Sequence, residues 1–210
     1  MVGVVGSSPI APTNFFFSFT NIFEKLMFTL SLHGEESTQA LLQSGRSYCL
    51  IVRSESQRAA LLKNLGEQAG VVIVPHNGGL ISNLRVWENI ILPVQYHGIQ
   101  LPGKLEDNVT ALLDQCGLSD ETVLSALMLK LPDQLTLYEK RLVGFVRAML
   151  MGPELIIYDG LNEGLSRKEL VMVNKFDAVF RLHFPFRTSV LVSFEEDSEK
   201  SDPDQLLIHL

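Results

Sequence analysis

The sequence predicts an α/β fold, a mostly parallel sheet flanked by helices with an inserted helical subdomain. Three observations predict it. Short, almost continuously apolar runs stand at 47–52, 71–75, 154–159 and 188–194, as expected of strands covered on both faces. Helical patterns separate these runs, the order that gives parallel strands with helices packed on the sheet. From about residue 86 to residue 150 the alternation stops and a run of helices takes its place.

The first 26 residues stand apart from this pattern. They lack the basic start and small-residue cleavage site of a signal peptide. Residues 1–26 are therefore expected to be disordered or an extension upstream of the native start at Met27, with the domain proper at 27–210. From Met27 the chain reads as a strand, a loop and a second strand, "SYCLIV", entered through Gly45. "SESQRAALLKNLG" at 54–66 sets Ala60, Leu61, Leu62 and Leu65 at helical spacing and closes on Gly66. "VVIVP" at 71–75 is a short strand cut off by Pro75, which has no N–H for a ladder.

Residues 84–98 are mixed in character, and Leu105, Val109, Leu112 and Leu113 then mark an amphipathic helix. "LYEKRLVGFVRAML" at 137–150 is the longest helical pattern, ended by Gly152 and Pro153. "ELIIYD" is a buried strand, residues 166–184 a single helix, and "TSVLVSF" the final strand. "SFEEDSEKSDPD" at 193–204 reads as a solvated tail.

Composition excludes several function classes. No apolar run reaches the roughly 18–20 residues of a membrane-spanning helix. A net charge of −7, with 17 scattered basic residues, argues against nucleic-acid binding, which needs clustered Lys and Arg. Cys49 and Cys116 form no CxxC and have no His at metal-ligand spacing, so buried thiols in a reducing compartment are expected, with no metal site. No nucleophile triad or paired-carboxylate site is present, and no catalytic residue is assigned.

The motifs carry more. "VRSESQRA" at 52–59 leads from a strand into a helix, "HNGGLISNLRVWENIILPV" follows the next strand, "LTLYE" at 135–139 precedes the longest helix, and "PELIIYDGLNEGL" runs a strand into Asp159. In this order and spacing the chain, from about Met27 onward, resembles the ATP-binding subunits of ABC transporters, which have a P-loop NTPase-like fold. The resemblance places Val52 and Gln57 on the two glycines of the phosphate loop G-x-x-x-x-G-K-[ST], Arg58 on its lysine and Ala59 on its hydroxyl residue. It places His76 on the metal-sensing glutamine, "LTLYE" on the signature LSGGQ, Asp159 on the aspartate that holds the Mg²⁺ hydration shell, Gly160 on the general base, and Phe194 on the γ-phosphate histidine. Ser166 replaces the aspartate of the dimer-contact loop, and the chain ends soon after "LLIHL", so terminal strands are expected to be missing.

These departures have physical consequences. Val52 is β-branched and unsuited to a curled cradle. Glu55 would place a carboxylate in the loop, where a like charge about 4 Å from a phosphate costs roughly 4 kcal/mol at an effective dielectric of about 20. Ala59 cannot ligate Mg²⁺, and Gly160 cannot activate water, a contribution of about 10²- to 10⁴-fold. Leu137 and Tyr138 would fill the space a partner's γ-phosphate needs. Arg58 keeps a charge able to hold an anion, against the more common reading of a surface arginine, and His76 is expected to face solvent.

The resemblance therefore implies a degenerate subunit, a pseudo-ATPase with a vestigial nucleotide site at Ser56, Gln57, Arg58 and Asp159. No cofactor is expected, or at most weak binding of ATP and Mg²⁺. The implied partners are a membrane permease and/or a second ATP-binding subunit, with the chain cytoplasmic and peripheral to the inner membrane of a bacterium. The spacing of 76–94 is most similar to subunits of lipid or organic-solvent-resistance transporters. Two alternatives stay open: a weak but working ATP-binding subunit in a heterodimer, and a drifting gene product without a role.

Overall fold

The computed structural model describes residues 28–32, 38–194 and 206–209. The segment 1–26 and most of the acidic run at 193–204 lie outside the described residues. Five parallel strands form the central sheet, in the spatial order β4 (Val71–Val74), β5 (Leu155–Asp159), β6 (Thr188–Phe194), β3 (Ser47–Val52) and β7 (Leu206–His209). A separate antiparallel pair, β1 (Phe28–Leu32) and β2 (Thr38–Leu42), precedes it.

Alternation along the strands sorts the core into two layers. Tyr48, Leu50 and Val52 of β3, Leu155 and Ile157 of β5, and Val190 and Val192 of β6 face α1 (Glu55–Gly66), which adds Leu61 and Leu65. Cys49, Ile51, Ile156, Tyr158 and Leu191 face the opposite layer, built on α5 (Leu137–Leu150) with Phe145 stacked on Phe176 at a 4.5 Å centroid distance. Between β4 and β5 run α2 (Val86–His97), α3 (Leu105–Gln115), α4 (Glu121–Leu129), a 3₁₀ turn and α5. The α/β class and parallel sheet agree with the sequence reading, and both cysteines are buried thiols.

Four local readings are corrected. Residues 38–42, read as loop, are a strand that pairs with β1. Residues 84–98, read as mixed although a helical run was expected from about 86, hold the helix α2 (Val86–His97) with Pro93 inside it, because Val86, Asn89, Ile90 and Val94 form a buried stripe that outweighs the proline's cost. The single helix read at 166–184 is two, α6 (Arg167–Val173) and α7 (Lys175–His183), parted at Asn174. The strand at 188–194 is not the final one, since β7 adds to the outer edge of β3.

Candidate functional site

The carboxyl ends of β3, β4, β5 and β6 lie side by side, so the residues that follow them meet at one edge of the sheet, where parallel α/β sheets carry their sites. The turn after β3 is short. Only Arg53 and Ser54 separate Val52 from the first residue of α1, so the stretch that matched a phosphate loop is the end of a strand and the first turns of a helix. Ser54 caps that helix, its hydroxyl accepting from the Gln57 N–H at 3.2 Å. Ser56 is exposed and shares a hydrogen bond with Ser54 Oγ at 2.9 Å, while Gln57 Oε1 accepts from the Arg53 N–H at 2.7 Å. Both side chains are used locally, and the Gln57 and Arg58 N–H groups are spent on the Ser54 hydroxyl and carbonyl.

Arg58 is the main correction to the surface-arginine reading. It points inward from the first turn of α1 and is only 5% exposed. Its Nε donates to Asp159 Oδ1 at 2.6 Å, and its Nη1 donates to both carboxylate oxygens of Glu163, at 3.0 and 3.3 Å. The guanidinium lies 5.3 Å from the Phe194 ring centroid, within cation–π range. Glu55, 78% exposed, approaches Nη1 at 3.6 Å from outside. Burial alone would lower the arginine's pKa, but the hydrogen bond and charge of Asp159, then Glu163 and Glu55, outweigh it and hold it above the ordinary value. Arg58 and Asp159 are thus brought together, whereas Ser56 and Gln57 are not part of the cluster.

Glu163 is the residue that the sequence reading missed. Gly160 has φ +59°, and the Glu163 N–H donates to the Gly160 carbonyl at 3.1 Å, so the turn folds the glutamate back beside Asp159. A β-carbon at position 160 would lie 2.7 Å from Glu163 Oε1 and would strike Arg58 Nη2. A carboxylate therefore does stand next to Asp159, but it comes from four residues along and is engaged by Arg58. The findable signal was an acid between two glycines, Gly160 and Gly164, both of which take positive φ.

His76 is exposed as read, with Nδ1 3.8 Å from Asp159 Oδ2. Its backbone is held by a second buried guanidinium that the sequence did not reveal. Arg141, 1% exposed, donates from Nε to the His76 carbonyl and from Nη1 to the Leu161 carbonyl, each at 2.7 Å. Arg147 donates to the carbonyls of Gly79 and Gly78 at 2.9 and 3.2 Å. Gly78 packs so tightly on α5 that a β-carbon on Gly144 would lie 2.6 Å from the Gly78 oxygen. Asn89, 1% exposed, holds the Ile81 N–H at 2.7 Å and the Leu84 carbonyl at 2.9 Å.

At "LTLYE" the reading is corrected in part. Thr136 caps α5 in a capping box with Glu139, so the helix starts at Leu137 without a glycine turn. Tyr138 turns inward, its ring 6.4 Å from that of Phe176, instead of filling space outside the subunit. Ser166 caps α6 in the same manner with Glu169.

The fold is that of ABC transporter ATP-binding components. A solved structure of CbiO1 from Clostridium perfringens, part of the ABC transporter complex CbiONQ, superposes with a TM-score of 0.60 at 15% identity, covering 77% of this chain and 72% of that one. In sequence the chain is similar to methionine import ATP-binding proteins MetN 1. It is 27% identical to that of Pseudomonas fluorescens Pf-5 over 150 residues, which is 71% of this chain and 42% of the relative. It is also 27% identical to that of Pseudomonas putida KT2440 over 139 residues, or 66% of this chain and 39% of the relative. The chain spans about two fifths of the length of these curated relatives. No protein-family model matches it. These likenesses bear out the resemblance to ABC-type ATP-binding subunits, and the names of these relatives give no support to a lipid or solvent-resistance subclass.

Proposed function

We propose that this chain is a degenerate ABC-type ATP-binding subunit, a pseudo-ATPase with a structural or regulatory role in a membrane transport complex. The observation that carries the reading is Arg58 turned into its own site. At the position matched to the phosphate-binding lysine, the guanidinium is taken up by Asp159 and Glu163. The cluster sets three carboxylates, Glu55, Asp159 and Glu163, around Arg58, with the buried Arg141 as a second cation nearby, a balance that still leaves net negative charge to repel the phosphates of a nucleotide. These residues do not fit Mg²⁺–ATP: the aspartate matched to metal binding is ion-paired, Ala59 offers no hydroxyl ligand, and the Gln57 and Arg58 N–H groups after the two-residue turn are spent on Ser54.

The partner in this reading is a permease, with a second ATP-binding subunit as an additional member, and the chain sits at the cytoplasmic face of the inner membrane through them. Among the described residues no helix is long and apolar enough to cross a membrane. An open groove between α2, α3 and α4, lined by Trp87, Glu106, Thr110, Ser125 and Met128 over a buried apolar floor, is the surface this reading assigns to docking. Glu88 and Asn89 are accounted for by the fold, since Glu88 accepts from the Arg85 N–H at 2.7 Å and Asn89 pins the preceding loop.

Calorimetric titration of the full chain with ATP, with and without Mg²⁺, tests the reading together with affinity capture from membranes. No heat up to millimolar ATP and co-purification of a permease are expected. Mg²⁺-dependent ATP binding by the wild-type chain would overturn it in favour of a weak working subunit.

A further inference from the structure

Several buried side-chain polar atoms lack a hydrogen-bond partner, among them Asn64 Oδ1 and the hydroxyls of Tyr138 and Tyr158, and one of them, on Arg58, lies in this site. Arg58 Nη2 is buried and has no hydrogen-bond partner, although the residue is 95% buried. It lies over Gly160 and fills the volume that a β-carbon there would need. Its neighbour Nη1 is held by both oxygens of Glu163, at 3.0 and 3.3 Å. The guanidinium thus has one satisfied and one unsatisfied corner at the end of β5, beside the turn that carries Glu163.

We propose that Glu163 is an internal anion that closes this site. Its carboxylate occupies on Arg58 Nη1 the place an oxyanion would take, and its charge repels any oxyanion that approaches the guanidinium. Glu163 is a positioning residue in this scheme: it acts through Arg58 and touches no substrate. The other charges facing the guanidinium are Asp159, which holds Nε, and the exposed Glu55. His76 lies on the far side of Asp159, and Arg141 is close enough to Glu163 to share its charge. Glu163→Gln removes one of three carboxylate charges and leaves on Nη1 only a neutral amide oxygen, which an oxyanion can displace to take both terminal nitrogens of Arg58 in a bidentate fork.

The inference rests on reading residues 52–59 as a former phosphate loop, and its failure is separable from that of the proposed function. Inorganic pyrophosphate is the probe, titrated calorimetrically into wild type, Glu163→Gln, Glu163→Gln with Arg58→Ala, and Glu67→Gln as an equal charge change at the far end of α1. The expected result is binding at least tenfold tighter in Glu163→Gln, lost again with Arg58→Ala and absent in Glu67→Gln. Unchanged binding in a folded Glu163→Gln protein overturns the proposal, as does a gain that survives Arg58→Ala or is matched by Glu67→Gln. Should that variant fail to fold, wild-type NMR decides: separate, slowly exchanging Arg58 Nη signals are expected, and a freely rotating guanidinium overturns it. Nucleotide binding by wild type, by contrast, would sink the pseudo-ATPase reading on its own.

Discussion

Arg58 and Gly160 are sterically complementary: the guanidinium fills the volume that any side chain at position 160 would need. The two departures from the nucleotide-hydrolase pattern are therefore one packed unit. Gly160→Ala should destabilise the protein by roughly 2–5 kcal/mol, about 1–2 from the left-handed backbone and about 1–3 from overpacking. Part of the second contribution should vanish in an Arg58→Ala background. Urea denaturation of both singles and the double checks this, and additive effects would show that the two positions are independent.

Asp159 and Arg58 form the buried end of the same cluster, with side chains 9% and 6% exposed. Removing one partner leaves the other charge buried, so Asp159→Ala should cost roughly 3–5 kcal/mol. The exposed Glu55→Gln should cost less than about 1 kcal/mol. Equal losses in the two variants, read from chemical denaturation, would contradict the assigned burial.

Arg141 ties the turn after β4 to the turn after β5 through two carbonyls. A lysine has the charge but not the fork, so Arg141→Lys should lose about 1.5–3 kcal/mol. Amide hydrogen exchange should quicken at residues 76–79 and 161–164 together. Quickening at only one of the two turns would mean that they are not coupled.

Cys116 is fully buried, and burial pushes its pKa up to about 12, with Lys175 pulling the other way. Below about pH 9 the thiol is protonated in both folded and unfolded chains and is neutral to stability. Between the unfolded value near 9 and about 12 only the unfolded chain loses the proton, so stability falls as pH rises, by about 1.4 kcal/mol per unit. Tyr138, also pushed up to about 12 by burial, acts in the same direction from its ordinary value of 10.0. Cys116→Ala should flatten the start of this alkaline limb in thermal melts, and the native thiol should stay unreactive to an aromatic disulfide at pH 8.

Much of the fold was legible because burial leaves a period in the sequence. The apolar runs at 47–52 and 155–159 are continuous since both sheet faces are covered, and α5 carries a broad apolar face. Where the signal is short or contradicted, it failed. The strand at 38–42 is five residues in a polar stretch, and Pro93 masks a helix that tertiary packing sustains. At the site, the sequence supplied Arg58 and Asp159 by register but assigned the arginine to the surface, and it passed over Glu163 and Arg141.

Sequence by itself determined the layering of this protein and the loss of the loop glycines, the hydroxyl ligand and the adjacent base, because these depend on residue type and local spacing. Tertiary structure alone decided that Arg58 turns inward, 101 positions from Asp159 and 105 from Glu163. The physical reason is that an ion pair's strength depends on distance and burial, and neither exists until the ends of β3 and β5 are brought together across β6.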